Sequence, residues 1–147
     1  MNDITLRIKR LDPDVIIPSY AYPGDAGLDL RSNDDIDIAP FERVLIPTGL
    51  VIAIPDGYAG FVQPRSGISL KRGLGIANTP GLIDSQYRGE LKVIALNMNK
   101  DKSLHVSKGD RIAQLVIQRV PIVHIEEVDM LDETVRGESG FGSSGAR

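Results

Sequence analysis

The stretch GLIDSQYRGELKV, residues 81–93, reads as a tight β-hairpin. Leu82 and Ile83 lead in, Tyr87-Arg88-Gly89-Glu90 supplies turn and polar chemistry, and Leu91, Val93 and Ala95 resume an alternating strand. An acid, Asp84, and an aromatic ring, Tyr87, are thereby held on a rigid scaffold. The same signature extends outward along the chain. Ile4, Leu6 and Ile8 alternate with polar residues, and further short runs cover 44–46, 49–54, 58–63, 91–97, 111–120 and 122–128. Pro-Gly, Asp-Gly, Thr-Pro-Gly and Lys-Gly-Asp punctuate them as turns, because Gly supplies positive φ and Pro fixes φ. Such frequent punctuation predicts an all-β sandwich or barrel. One short helix is expected over Gly67–Arg72, with Ser66 as N-cap and Gly73 as its stop.

With 147 residues the chain suits one domain with a proper core. Aromatic residues make up only 5% and Trp is absent, so the core must be built mainly from Ile, Val, Leu and Ala. A net charge of -3 offers no broad attraction for nucleic acid or an anionic membrane, so an anionic ligand needs a local basic site. The absence of Cys removes disulfides, thiol nucleophiles and thiolate metal ligands, and with them zinc deaminase chemistry. MNDITLRIKR has no apolar signal core and no later apolar run approaches membrane-spanning length, so a soluble cytoplasmic protein is expected.

Four segments can carry chemistry. GFGSSG at 140–145 satisfies G-x-G-x-x-G but neither follows a strand nor opens a helix, which excludes a dinucleotide fingerprint. Its glycines still allow backbone amides to approach phosphate, while Ser143 and Ser144 add donors, Arg136 a charged fork and Phe141 a stacking face. A frayed terminus accounts for the composition of RGESGFGSSGAR, 136–147, equally well. In PRSGISLKRGL, 64–74, Arg65 and Ser66 open the expected helix and form a phosphate site, although a capped helix with a surface Arg reads the same way. Asp25 and Asp29 in GDAGLDLRS, 24–32, fit turn positions, and alternation sets Asp29 opposite Leu28 and Leu30. Gln114 and Gln118 interrupt an apolar run, and periodicity does not separate them.

G-x-I-D-x-x-Y-R-G-E resembles the third motif of the trimeric dUTP pyrophosphatases (dUTPases), and four further segments match that family in the same order over residues 24–145. RGESGFGSSG is similar to the family's fifth motif, an arm that closes over the bound nucleotide; Ser139 and Ser144 are mild departures from the usual Gly and Thr. The resemblance implies an antiparallel jelly-roll-like β-barrel over 1–132, a flexible C-terminal arm over 133–147, and a homotrimer with three shared sites. One chain would give motifs one, two and four, the next the uracil hairpin 78–90, and the third its arm. It implies hydrolysis of dUTP to dUMP and pyrophosphate with Mg²⁺, keeping dUTP low and supplying dUMP for thymidylate synthesis. Arg65, Ser66 and Gly67 would contact the triphosphate, and Gln114, selected by its place in the fourth motif, the α-phosphate. Asn78, whose place before a Pro-Gly turn also fits a turn residue, and Gly81 would belong to the uracil pocket, and Arg136, Phe141, Gly142, Ser143 and Ser144 to the closing arm. Asp29 would hold a water of the Mg²⁺ shell, a role that needs no protein cage because Mg²⁺ keeps most of its waters.

Asp84 is then the candidate to orient and deprotonate the attacking water, since His105 and His124 lie in no motif. A hairpin carboxylate bonded to local amides is the alternative. Tyr87 would pack where a ribose 2′-hydroxyl must sit, or simply be a buried ring. Two rivals stand beside this reading. A dCTP deaminase needs an acid and a base at C4, which the run 91–97 lacks; a binder that kept the fold and lost the reaction is disfavoured by the intact Asp84 and arm.

Overall fold

A computed structural model describes residues 3–146. In chain order the elements are β1 (Arg7–Arg10), β2 (Leu28–Arg31), β3 (Ile36–Ile38), β4 (Arg43–Ala53), β5 (Tyr58–Gln63), α1 (Ser66–Arg72), β6 (Leu74–Ile76), β7 (Gly81–Ile83), β8 (Glu90–Asn97), β9 (Leu104–Val106) and β10 (Arg111–Arg119). They form two four-stranded sheets, β1-β4-β8-β6 and β2-β10-β5-β7, with β3 and β9 as a separate pair. Every pairing is antiparallel, giving a jelly-roll-like all-β fold.

Period-two patterning builds the core. Leu91, Val93 and Ala95 of β8 are buried while Lys92 between them is exposed. Across the ladder β4 buries Ile46, Leu50 and Ile52, and the other sheet adds Leu30, Val62 and Leu115 to the same cluster. Each such side chain contributes roughly 1.5–3 kcal/mol by leaving water. The β4–β8 register shifts between Pro47 and Leu50, where proline has no amide to donate. There the freed Gly49 amide donates to Glu90 Oε1 at 3.0 Å.

Three expectations change. Residues 81–93 are not a hairpin: β7 pairs with β5 and β8 with β4 and β6, so the segment crosses from one sheet to the other. Alternation is identical in a hairpin and a crossover, because it reports which face is buried and not which strand is adjacent. The helix begins at Ser66, so Arg65, with φ -96° and ψ 124° and no side-chain cap bond, is the N-cap in place of Ser66. Gly73 ends the helix at φ 74°, the left-handed stop expected of it. Residues 122–128 carry a strand pattern but no strand; after the Val120 amide donates to the Gly57 carbonyl, residues 121–135 run exposed. No helix of the described residues is long and apolar enough to cross a membrane.

Fully buried Asn97 ties the end of β8 to its surroundings. Its Nδ2 donates to the carbonyls of Ile38 and Lys102, both at 2.9 Å, and its Oδ1 accepts from the Asn99 amide. Lys108 donates to Asp14 at 2.8 Å, joining the loop after β1 to the turn before β10; that hydrogen bond holds the Asp14 carboxyl below its ordinary range and raises the Lys108 ammonium. Asn97→Leu takes the side-chain donor from the buried Ile38 carbonyl and the half-buried Lys102 contact, so chemical denaturation is expected to show a loss of about 2–4 kcal/mol. An unchanged denaturation midpoint would contradict Asn97's place as a hub.

Candidate active site

Two concavities gather most of the sequence-predicted residues. The first, about 260 Å³, lies between the sheets where β7 ends, with Val62, Asn78, Gly81, Ile83, Asp84 and Tyr87 among its walls. Gly81 keeps it open: a Cβ there would stand 3.2 Å from the Val62 Cβ and 3.5 Å from Asn78 Nδ2. After β7 the chain turns, the Tyr87 amide donating to the Asp84 carbonyl at 3.1 Å. The Tyr87 hydroxyl donates to the Glu90 carbonyl at 2.9 Å. Gly89 makes that posture possible, because a Cβ would fall 2.4 Å from the hydroxyl oxygen. The ring is 44% exposed, so it is a wall of the cavity and not a buried ring.

The Asp84 side chain takes part in no hydrogen bond or ion pair among the described residues. The alternative of a carboxylate satisfied by local amides is therefore not what the fold provides. An exposed carboxylate on an apolar wall, with both oxygens free, is available to orient a water.

The second concavity, about 350 Å³, joins Gly27 and Asp29, Arg65 to Gly67 and Gln114. Asp29 and Gln114 face each other across the β2–β10 ladder. The Asp29 carboxylate is clamped between Arg65 Nε at 3.0 Å and Arg111 Nη1 at 3.4 Å. Arg65 is thus a positioned fork and not a loose surface cation. Gln114 Nε2 donates to the Pro64 carbonyl at 3.0 Å, tying β10 to the entry of α1. The first intrahelical bond runs from the Ser69 amide to the Arg65 carbonyl, so the amides of Ser66 to Ile68 have no partner within the helix. Guanidinium, hydroxyl and free amides make this an anion pocket. Asp25 is the turn residue that its bland reading proposed: its Oδ2 accepts from the Tyr22 amide at 2.9 Å.

No group of three or more His, Cys, Asp or Glu side chains among the described residues could hold a metal ion. Asp29 lines the second concavity with a carboxylate that can accept from a metal-bound water, which suits a hard cation arriving already bound to phosphate and water. The terminal residues are not brought to either concavity. Arg136 Nε donates to the Ser139 carbonyl at 2.8 Å, the Ser143 amide to Gly140, and Phe141 stands fully exposed. Sequence reading missed Gly27, Gly89 and Arg111, whose importance lies in close approaches and pairings between distant segments.

Comparison with known proteins follows the same lines. The dUTPase family model matches residues 14–145. A deoxyuridine 5'-triphosphate nucleotidohydrolase of Rhodococcus erythropolis is 51% identical over 142 residues, covering 97% of this chain and 87% of its own. The protein of that name from Corynebacterium glutamicum is 49% identical over 146 residues, 99% of this chain and 98% of its own. Among solved structures, a Staphylococcus bacteriophage 80alpha dUTPase mutant with dUpNHpp superposes with TM-score 0.91 at 31% identity, covering 97% and 99%. A dUTPase mutant from phage phi11, described as coordinating a structural Mg(II) ion, gives TM-score 0.81 at 26% identity over 88% of this chain and 100% of that one.

Gly27 is the contact on which the anion pocket closes, since a Cβ there would lie 2.6 Å from Gln114 Oε1 and 3.0 Å from Gln114 Cβ. Gly27→Ala is expected to push Gln114 off Pro64 and cost about 1–3 kcal/mol by overpacking. Thermal denaturation and a crystal structure check this; an undisturbed Gln114 would contradict it.

Proposed function

The chain belongs to the dUTPase family, and from that membership we propose that it hydrolyses dUTP to dUMP and pyrophosphate. The observation that carries this is the Asp84 carboxylate, free of protein partners, on the wall of a cavity shared with Asn78 and Tyr87. The Asn78 carboxamide has the donor and acceptor that the N3–H and O4 edge of uracil requires. Tyr87, pinned over Gly89, fills the space that a ribose 2′-hydroxyl would need. Arg65, Ser66 and the free amides at the start of α1 cradle the phosphates, and the second N–H of the Gln114 amide is left for the α-phosphate.

Asp84 orients a water in line with the α-phosphorus and takes its proton as the P–O bond to pyrophosphate breaks. Bound Mg²⁺ would neutralise the triphosphate oxygens, with Asp29 holding one of its waters and so staying outside its direct ligand shell. Asp29 can do so while keeping Arg65 aimed at the same anion.

Register supports assembly of the site from more than one copy. β5 pairs Gly60 with Ile83 on one side and Gln63 with Gln114 on the other, which puts Asp84 beside Ala59 and Arg65 beyond the opposite end of the strand. Six residues of extended chain separate those positions by roughly 20 Å, too far for one α-phosphate to use both groups of a single chain. A homotrimer, each site drawing Asp84 and Arg65 from different subunits and the arm 133–147 from a third, satisfies this geometry. Arg136 and Phe141 to Ser144 then close over the nucleotide.

Offering dUTP, dCTP, dTTP and UTP separately with Mg²⁺ and resolving the products should give dUMP and pyrophosphate from dUTP alone. Consumption of dCTP would return the deaminase reading, and binding of dUTP without turnover would make the protein a binder. Asp84→Asn should lower kcat by about 10²- to 10⁴-fold with nucleotide binding nearly unchanged. Near-normal turnover in that variant would remove Asp84 from its role.

A further inference from the structure

A groove of about 470 Å³ continues from the anion pocket, sharing Arg65 and Gly67 with it. Arg31, Lys71, Arg72 and Arg111 also line it, with Asp110 the sole carboxylate among its described lining residues. Asp110 pairs with Arg72 at 3.6 Å and Arg111 faces Asp29 at 3.4 Å. Arg31 spends one N–H on the neutral Gly109 carbonyl, and Lys71 is exposed with no ion pair among the described residues. In a chain of net charge -3 this is a concentrated surplus of positive charge. No aromatic ring lines the groove, so it lacks the stacking surface that single-stranded nucleic acid uses.

The opposite charge is carried by the chain itself. Residues 126–133, EEVDMLDE, hold Glu126, Glu127, Asp129, Asp132 and Glu133 with no intervening cation, and all are exposed. They immediately precede Arg136 and the glycine-rich stretch. A groove that opens into the anion pocket, and an acidic stretch that leads into phosphate-binding chemistry, are complementary in charge and in order.

We propose that the basic groove is the docking track for residues 126–133 of a neighbouring copy, guiding its arm so that Arg136 to Ser144 enter the adjoining anion pocket. In the chain itself the segment runs exposed, and its first two acids are out of reach of the groove. The groove sits at the Arg111 end of β10, whereas the chain departs from the other end at Val120, nine residues or roughly 30 Å away. Glu126 and Glu127 lie only six and seven residues past Val120, at most about 25 Å of fully extended chain. A second copy has no such limit. This inference rests on the proposed closure of the arm over the nucleotide.

Because the chain has no Trp, Phe141→Trp gives a single fluorescent reporter of arm closure. Titration of the full-length reporter with dUpNHpp and Mg²⁺ at low ionic strength provides the reference affinity. Lys71→Glu should weaken the fluorescence-detected affinity by about three- to tenfold, and the triple variant Glu126→Lys, Glu127→Lys, Asp129→Lys should do the same. Combining both sets should restore most of the loss, and the differences should fade near ~0.5 M salt. Circular dichroism confirms that each variant is folded. Variants that titrate like the parent, or a loss with neither rescue nor salt dependence, would overturn the docking track. Weaker binding of inorganic tripolyphosphate to Lys71→Glu with unchanged closure would also overturn it, by assigning the groove to polyphosphate. A parent reporter that stays silent on nucleotide binding would overturn arm closure itself, and the docking track with it.

Discussion

Strand β5 is the ruler on which the function is laid out. It pairs with β7 along one edge and β10 along the other, so it decides where Asp84 and Arg65 stand relative to each other. Because strand geometry is stiff, that spacing cannot be adjusted by side-chain rotation. The residues proposed to handle phosphate collect at the Gln63 end: Asp29 through its register with Gln114, Arg65 through Asp29, and Gln114 through Pro64. The carboxylate suited to activating water lies toward the Tyr58 end. On the proposed mechanism a site that needs both is completed by bringing chains together, and the exposed segment 121–135 leaves from the same end as Asp84.

Charge follows this division. The anion pocket and its adjoining groove concentrate cations at one end, and the departing C-terminal segment carries a run of carboxylates away from the other. Individual surface ion pairs contribute little to stability, commonly under about 1 kcal/mol. Their combined field is better suited to orienting a mobile segment than to strengthening a fold. The interior is handled differently: Asn97 and the Gly49–Glu90 contact satisfy backbone groups locally, and the core between the sheets is aliphatic.

Much of the fold was legible in local pattern. Residues 58–63 and 111–119 read as strands because their alternation is long enough to define a face, and α1 is placed within one residue by Ser66 and Gly73. The short strands β3, β6 and β9 are three residues each, too brief for periodicity to announce them. The crossover at 81–93 reads locally as a hairpin because pairing partners are non-local: the neighbour of Leu82 is Phe61, a relation absent from the segment itself. Residues 122–128 have a strand's composition but no partner strand among the described residues of one chain. Of the candidate site, Asp84, Tyr87, Arg65 and Gln114 were visible as motif residues. Gly27 and Gly89 also stand in the motifs, but their roles are not legible there, because their importance is the space that they leave for Gln114 and Tyr87.

Subunit complementation tests the split layout most directly. Asp84→Asn chains and Arg65→Ala chains, each nearly inactive alone, would be co-refolded and the mixture assayed for dUTP hydrolysis. If one site takes Asp84 from one chain and Arg65 from another, mixed assemblies contain sites with both groups intact and activity returns. A mixture no more active than its parents, despite demonstrated mixed assembly, would mean that both groups act within a single chain and would contradict the division along β5.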